Sequence, residues 1–382
     1  MTELAIPTCI AGVTPAWLTA ALGTAPARVV DVRSERVGVG VGIMADEWRV
    51  TLTYDQPAPD QLASVVVKLP SSAVGTRVMA NERNLYESEV RFYRELAAHT
   101  RTRVPRCYHA RKAPDTADFV VVMEDLGGLT MVDQLDGLTL GQAEQAVAAL
   151  ADLHASWWGK VSTPELDWIP GVTHPRMKMM ADLWPQLWPL FAQNFGKDLP
   201  EGGQALGEEL RDHYWPIMQQ LAEEPWTLLH IDYRCENLMF QSDGSGLVVL
   251  DWQSIGRGPG AYDLAYLLGG SLAADVRAAH EEALVEHYHR ELVRGGVRDY
   301  PLDRLLAAYR LAHRVAGTAT VVLIGAGTDL GNERGVELVR TMAHRHFSAA
   351  VDAARVTSPQ EAMAPPLTIE RPGGQAEKER TA

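Results

Sequence analysis

Two neighbouring stretches of the chain decide the fold: residues 228–240 read LLHIDYRCENLMF and residues 248–253 read VVLDWQ. In both, an apolar run typical of a buried strand leads into polar side chains. The first run is followed by Asp232 and Asn237, and the second ends on Asp251. We therefore expect these three oxygen-bearing side chains at the ends of adjacent strands, where carboxylate and amide oxygens suit a hard divalent cation.

These three side chains match the needs of phosphoryl transfer, which depends mainly on positioning and charge neutralisation around a metal-bound nucleotide. Asp232 is predicted to accept or orient the proton of an attacking hydroxyl, and Asn237 and Asp251 are predicted to ligate Mg²⁺. The competing structural interpretation makes Asp232 a turn-forming residue and the other two loop caps. His230 is predicted to hold the loop by hydrogen bonding, and Asp263 to act as a helix N-cap or loop anchor.

A lysine in the N-terminal part is the candidate phosphate contact. Lys68 closes the run SVVVKL at residues 64–69, which is apolar on both faces and so predicts a buried central strand. The competing interpretation is a solvated residue at a strand edge. Glu89, on the next helical segment, is predicted to pair with Lys68 and fix its direction. The alternative partners on or beside that segment are Glu82, Glu87 and Glu95.

Two further segments are candidate nucleotide contacts. Gly38, Gly40 and Gly42 punctuate a predicted hairpin and would let backbone N–H groups approach phosphates, although tight turns use glycine for conformational reasons alone. Glu124 and Leu126 follow a β-like run, and their backbone is predicted to hydrogen-bond the edge of a purine. A plain connector is equally compatible with these residues.

Composition restricts the class of protein. With 382 residues, 46% hydrophobic and 22% charged, the chain is predicted to be globular and to form two lobes. A net charge of −14 argues against nucleic acid or an anionic membrane as the main partner. No apolar run reaches the roughly 18 residues that a membrane span needs, and the N-terminus lacks a secretory pattern. Three widely spaced cysteines favour the cytoplasm.

The hydrophobic periodicity predicts a sheet-rich front and a helix-rich back, which is an α+β class. A short helix near 15–22 leads into an antiparallel meander within 29–69, followed by one helix over 84–98. Strands return near 106–110 and 119–123. Helices dominate after residue 128 and are predicted at 140–158, 177–194, 207–222, 261–268, 273–295 and 302–346.

With these residues laid out, the chain resembles the aminoglycoside phosphotransferase and choline kinase superfamily, and within it most resembles the ecdysteroid kinase-like group and its bacterial relatives. The motifs that carry the resemblance are GVGIM (40–44), VVVK (65–68), EVRFY (89–93), MEDL (123–126), HIDYR with the later Asn (230–237) and DWQ (251–253). Two features depart from the pattern: Ile231 stands where many members have glycine, and DWQ replaces the Asp-Phe-Gly of protein kinases. No Ala-Pro-Glu segment follows, which weakens a protein kinase interpretation.

The resemblance implies a bilobal, protein-kinase-like fold. Its N-lobe is a small antiparallel sheet plus one helix, and its C-lobe is larger and mainly helical. Residues 1–124 are the expected nucleotide-binding lobe, with 1–24 as a helical lead-in. Residues 125–356 are the expected helical lobe with the catalytic loop and acceptor pocket, and 357–382 an expected disordered tail.

The implied cofactors are ATP or GTP as phosphoryl donor and Mg²⁺. The expected partner is a small molecule with an acceptor hydroxyl, of the aminoglycoside, amino alcohol, sterol or hydroxyacyl type. Aromatic and aliphatic residues in the helical part favour an acceptor with an apolar body: Tyr262, Tyr266, Trp184 and Leu187. One alternative is a nucleotide-binding pseudokinase that acts as an interaction module, and another is a Ser/Thr protein kinase.

Overall fold

The computed structural model describes residues 4–38, 44–56, 61–327 and 333–356. Two of the sequence predictions lie outside these ranges: the glycines Gly40 and Gly42 and the disordered tail at 357–382.

The described chain forms short strands and longer helices in the order expected of an α+β protein. The strands are β1 (Val29–Val37), β2 (Ala45–Tyr54), β3 (Ser64–Pro70), β4 (Cys107–Lys112), β5 (Phe119–Glu124), β6 (Thr130–Met131), β7 (Trp226–Leu229), β8 (Leu238–Phe240), β9 (Leu247–Val249) and β10 (Gly256–Pro259). The helices are α1 (Pro15–Leu22), α2 (Val74–Glu82), α3 (Leu85–Arg91), α4 (Leu140–Trp157), α5 (Pro175–Phe195), α6 (Gly203–Leu221), α7 (Ala261–Ser271), α8 (Ala274–Arg294), α9 (Leu302–His313), α10 (Thr318–Gly327) and α11 (Glu333–Val356).

The N-terminal part is built on a five-stranded sheet with the strand order β1-β2-β3-β5-β4, in which every neighbouring pair is antiparallel. The predicted meander is therefore present. Side chains alternate across a strand, and on β3 Val65 and Val67 pack with Leu18 of α1 in one hydrophobic cluster. Lys68 consequently projects from the opposite face, toward α3.

The helical segment between β3 and β4 differs from the prediction. The expected single helix over 84–98 begins as α3 and continues through a π-helical turn at Phe92–Leu96. An additional helix, α2, precedes it, and Asn84 separates the two with a left-handed backbone (φ 56°). The sequence of α2, VGTRVMANE, includes Gly75 and Asn81, which are weak helix formers, so its pattern did not predict a helix.

The prediction of one helix over residues 302–346 is wrong. Helix α9 ends at His313, and the chain turns at Gly317 (φ 81°) before α10 begins. A Cβ at Gly317 would lie 2.2 Å from the ring of His346 on α11. The turn therefore requires glycine both for its backbone angle and for this close approach, and the apolar periodicity conceals it.

Two small sheets carry the segment quoted at the outset. Strands β7 and β10 pair with each other, and β8 lies between β6 and β9. Leu238, which follows Asn237, pairs with Val249, which precedes Asp251 by two residues. The antiparallel hairpin β8–β9 therefore places Asn237 and Asp251 at the same end, as the sequence predicted.

One large hydrophobic core runs through the helical part and reaches the α3 side of the five-stranded sheet, while a smaller core lies between that sheet and α1. None of the helices in the described ranges is both long and apolar enough to span a bilayer. The predicted fold class, a small antiparallel sheet followed by a mainly helical part, is confirmed. The boundary between lobes after Glu124 stays a prediction.

Candidate active site

The loop between β7 and β8 is held from behind by one buried carboxylate. Asp263, on the first turn of α7, accepts hydrogen bonds from the backbone N–H of His230 (2.6 Å) and of Ile231 (3.0 Å). His230 in turn contacts the backbone oxygen of Leu250 through Nε2 (2.7 Å). Ile231 has φ 70°, a left-handed conformation that disfavours β-branched residues. The Asp263 carboxylate therefore stabilises a strained backbone immediately before Asp232.

Three neighbours orient the Asp232 carboxylate. Tyr266, also on α7, donates from its hydroxyl to Oδ1 (2.9 Å). The Asn237 amide nitrogen donates to Oδ2 (3.1 Å) and to the backbone oxygen of Asp232 (2.8 Å). The guanidinium of Arg234 lies 3.3 Å from Oδ1 and also pairs with Glu236. Since 28% of the Asp232 side chain remains exposed, the carboxylate is fixed but accessible.

Asn237 and Asp251 are joined through the backbone between them. The N–H of Leu250 donates to the backbone oxygen of Asn237 (2.8 Å), so the residue before Asp251 is hydrogen-bonded directly to Asn237. Asp251 itself has φ 61°, and the amide nitrogen of Gln253 donates to its Oδ2 (2.9 Å). Because Asn237 uses its amide nitrogen toward Asp232, its Oδ1 is left as an acceptor for which the described chain provides no donor.

Lys68 connects the sheet to this end of the helical part. Its ammonium lies 2.9 Å from Glu89 Oε1 on α3, 2.8 Å from Asp251 Oδ1 and 3.6 Å from Glu47 Oε1 on β2. Lys68 and Glu89 are almost completely buried, at 3% and 1% exposure. The structure thus places Glu89 beside Lys68, whereas the alternative Glu95 pairs with Arg91.

Burial and charge act in opposite directions on these groups. Burial alone lowers the pKa of Lys68, but the carboxylates of Asp251, Glu89 and Glu47 raise it well above its usual value. Burial raises the pKa of Glu89 to about 7, against the lowering effect of Lys68. Burial also favours the protonated form of Asp251, yet the Lys68 ammonium keeps the pKa of Asp251 below its usual value. We therefore treat Lys68 and Asp251 as a charged pair at neutral pH.

An aromatic stack supports this arrangement. Trp252, which follows Asp251, is fully buried, and its ring lies parallel to Phe92 with centroids 3.9 Å apart. The ring of His230 meets the same indole edge-on at 4.8 Å. Trp252 therefore connects the helical segment that carries Glu89 with the loop that carries Asp232.

The remaining predicted contacts lie around this centre. Gly38 follows β1 with φ 66°, a conformation for which glycine is suited. The Glu124 carboxylate accepts from Arg103 and from the N–H of Arg106 (3.0 and 3.1 Å), and the Glu124 N–H donates to the backbone oxygen of Arg106 (2.8 Å), so neither group is free for a ligand. Leu126 is buried, and within the described ranges its N–H has no hydrogen-bond partner.

The donor set fits Mg²⁺ bound together with phosphates. Within the described residues, no three His, Cys, Asp or Glu side chains form a ready-made metal cage. Mg²⁺ in phosphoryl-transfer sites is instead held by one or two protein oxygens, by phosphates and by water. Asp251 and the free Oδ1 of Asn237 would supply such oxygens.

Comparison with known families identifies the chain, because residues 41–297, about two-thirds of its length, match the ecdysteroid kinase-like family. The chain belongs to the ecdysteroid kinase-like family. No curated protein matches it. The expectation of a small-molecule kinase is confirmed at the level of the family.

Among solved structures, this ecdysteroid kinase-like chain is similar to the choline kinase of Cryptosporidium parvum, with 10% identity over 87% of this chain and 91% of that one and a TM-score of 0.54. It is also similar to a provisionally assigned aminoglycoside phosphotransferase of Ralstonia eutropha, with 16% identity, 88% and 97% coverage and a TM-score of 0.53. A spectinomycin phosphotransferase in complex with ADP and spectinomycin aligns with 13% identity, 85% and 94% coverage and a TM-score of 0.51. Identities this low show a common fold only.

Three residues that contact Lys68, Asp232 or Asp251 were missed by the sequence analysis. Tyr266 was considered only as an apolar wall, although it follows Asp263 by three positions on a helix and therefore shares its face. Gln253 was quoted without a role, and Glu47 was not considered. No sequence signal marks Glu47, because its position opposite Lys68 depends on strand register.

Two structural interpretations of the sequence need correction. The N-cap position of α7 is Gly260, so of the two roles foreseen for Asp263 only the loop anchor is present. Trp184 is fully buried and donates from its indole nitrogen to the backbone oxygen of Gly207 on α6 (2.9 Å), so it packs two helices together and exposes no surface to a ligand.

Proposed function

We propose that the protein transfers the γ-phosphoryl group of ATP or GTP, with Mg²⁺, to a hydroxyl group of a small molecule. The observation that carries this proposal is the position of Lys68. A buried ammonium from the sheet meets Asp251 directly, and Asp251 is joined through Leu250 to the loop of Asn237 and Asp232. Phosphoryl transfer needs a cation for the phosphates, oxygens for the metal and a carboxylate for the acceptor, and this arrangement provides all three.

Asp232 acts on the acceptor in this proposal. Its carboxylate, held by Tyr266 and Asn237, orients the acceptor hydroxyl and takes its proton. The acceptor oxygen forms a bond to the γ-phosphorus, the bond from that phosphorus to the oxygen bridging the β- and γ-phosphates breaks, and the nucleoside diphosphate leaves. The proton on Asp232 is then released to solvent. The products are a phosphate ester and the diphosphate.

The other side chains bind and position the donor. Lys68, directed by Glu89, binds the phosphates, and the backbone at Gly38 approaches them. When bound to Asn237 and Asp251, Mg²⁺ would neutralise charge on the phosphate oxygens. The purine edge is assigned to the backbone of Glu124 and Leu126, since that Leu126 N–H lacks a partner within the described ranges.

The acceptor is proposed at the level of chemical class. Two of the similar structures are a choline kinase and a spectinomycin phosphotransferase, and their named substrates, choline and spectinomycin, both carry hydroxyl groups. We therefore propose an alcohol acceptor of the amino alcohol, aminoglycoside, sterol or hydroxyacyl type. The proposed setting is the cytoplasm, where the donor nucleotides and the three free cysteines Cys9, Cys107 and Cys235 are expected.

A panel of alcohols tests the reaction. The protein is incubated with ATP, Mg²⁺ and each compound, and products are read by phosphorus NMR and by the mass gain of one phosphoryl group. We expect at least one phosphate ester, which is absent when Asp232→Asn replaces the wild type. Binding of Mg-ADP with no ester from any alcohol class would support the pseudokinase alternative instead.

A second variant tests the metal ligands separately. Asp251→Asn removes a formal charge that faces the cation, so we expect Mg-ADP binding to weaken at least about tenfold and turnover to disappear. Wild-type turnover by this variant at limiting Mg²⁺ would contradict the ligand assignment. Asp243→Asn, at the exposed turn between β8 and β9, is the matched control and should change neither quantity.

A further inference from the structure

Lys68 has a third carboxylate neighbour to which the proposed reaction gives no role. Glu47 lies directly opposite Lys68 in the register of β2 and β3, so both side chains project from the same face of the sheet. Its Oε1 is 3.6 Å from the Lys68 ammonium. Its Oε2 would be 3.5 Å from a Cβ at Gly38, so the carboxylate lies beside the residue that follows β1.

The three carboxylates around Lys68 are not held equally. Glu89 and Asp251 lie within hydrogen-bond distance of the ammonium, with 1% and 25% of their side chains exposed. Glu47 is farther away and 34% exposed, so it is the partner that a ligand can displace most easily. One ammonium faced by three acidic side chains leaves an excess of negative charge where the donor phosphates are proposed to bind.

We propose that Glu47 lies on the side of Lys68 to which a donor phosphate binds, and thereby selects metal-bound nucleotide over free nucleotide. This inference rests on the proposed function, because it assumes that Lys68 binds phosphates. An uncomplexed polyphosphate that approaches Lys68 is repelled by Glu47. A nucleotide whose charge is partly neutralised by a divalent cation is repelled much less, so binding depends on the metal.

A charge-neutral replacement of Glu47 tests the proposal. The dissociation constant of ADP is measured by isothermal titration calorimetry, once with EDTA and once with Mg²⁺. At about 5 Å and an effective dielectric constant of about 20, repulsion between two unit charges is several times the thermal energy. Allowing for solvent around this half-exposed group, we expect Glu47→Gln to tighten metal-free ADP binding about tenfold and Mg-ADP binding by no more than about twofold.

The matched control is Glu35→Gln. Glu35 lies on β1 of the same sheet, and its carboxylate is neutralised by Arg49 at 3.0 Å instead of by Lys68. We expect it to change neither dissociation constant. Glu47→Ala, which also removes the amide of the glutamine variant, must shift metal-free binding in the same direction. Circular dichroism of all variants checks that they are folded.

Three results would overturn the inference. Unchanged metal-free binding in Glu47→Gln would show that the carboxylate does not oppose the phosphates. Weaker Mg-ADP binding would make Glu47 a metal ligand that assists binding. If the wild type bound no ADP under either condition, the proposed function would fail and the inference with it, whereas normal Mg-ADP binding with no effect of Glu47→Gln removes the inference alone.

Discussion

The buried Asp263 carboxylate offers the sharpest prediction. It stabilises the strained backbone of Ile231, and a separate substitution can remove that strain. Asp263→Asn must turn an amide NH₂ toward one of the two N–H groups of His230 and Ile231. It thus loses one charge-assisted hydrogen bond, worth about 1.5–3 kcal/mol, and weakens the other. If the substitution destabilises the formed loop by about 3 kcal/mol, kcat for phosphoryl transfer to an acceptor from the alcohol panel should decrease about 100-fold.

The decrease in kcat caused by Asp263→Asn should be smaller in a variant that lacks the strain at Ile231. A left-handed conformation costs a non-glycine residue about 1–2 kcal/mol, and Ile231→Gly removes that cost. With glycine at position 231, the loop no longer needs the carboxylate to offset backbone strain. We therefore expect Asp263→Asn to lower kcat only about tenfold in the Ile231→Gly background. Asp275→Asn, an exposed acid in the first turn of α8, is the control and should leave kcat unchanged.

The assay is a double-mutant cycle on kcat with Mg-ATP at saturation. A coupling of about 1–2 kcal/mol between positions 231 and 263 is the expected result. If Asp263→Asn lowered kcat equally in both backgrounds, the carboxylate would not be restraining the Ile231 backbone, and the reasoning would be refuted.

Three further predictions concern the surroundings of the site. Tyr266→Phe removes the 2.9 Å hydrogen bond to Asp232, so kcat should decrease about 10–100-fold while Mg-ADP affinity is unchanged. Trp252→Leu removes a fully buried stacked indole and should lower the free energy of unfolding, measured in urea, by about 3 kcal/mol. Burial lowers the pKa of His346 to about 3 in the folded protein. In the unfolded chain the same imidazole binds a proton near its ordinary pKa, whereas in the folded protein it stays neutral there. The protein therefore loses stability as the pH falls below the ordinary pKa of histidine. His346→Asn should remove about 2 kcal/mol of the stability loss between pH 7 and pH 5. His280→Asn, on the surface, should leave that loss unchanged.

Controls and contradictory outcomes are available for these variants. Tyr309→Phe removes another buried hydroxyl, bonded to Glu281 on α8 and not to Asp232, and should leave kcat nearly unchanged; an equal effect of both tyrosine variants would make the role of Tyr266 merely structural. Trp215→Leu, at a partly exposed position on α6, should cost much less than the Trp252 variant. A pH dependence of stability unaltered by His346→Asn would show that this ring does not resist protonation in the folded state.

The sequence predicted the site best where chemistry and local pattern coincide. Apolar runs end on Asp232 and Asp251, and the sequence predicted that these ends meet. The two strands, β7 and β9, belong to different small sheets, and the His230–Leu250 contact joins their ends. Lys68 was found because its strand is apolar on both faces, and the structure buries it beside Glu89. Their catalytic and ligand-binding roles stay predictions.

What the sequence could not predict depends on contacts between distant segments. Glu47 faces Lys68 because of strand register, and a one-residue slip would turn it to the other face. The division of residues 302–346 into separate helices depends on the approach of His346 to Gly317. Helix α2 buries only Ala80 and exposes Val74 and Val78, so the segment has no continuous apolar face that would mark it as a helix in the sequence.

The central claim is that the Asp232 carboxylate acts in the transfer step and does not serve only to build the loop. The most direct measurement compares Asp232→Asn with the wild type in two quantities, kcat for phosphoryl transfer and the dissociation constant of Mg-ADP. The account predicts that kcat falls at least about 1,000-fold while the dissociation constant changes by less than about threefold. A variant that retains kcat within about tenfold of the wild type, or loses turnover only in proportion to lost nucleotide binding, would contradict it.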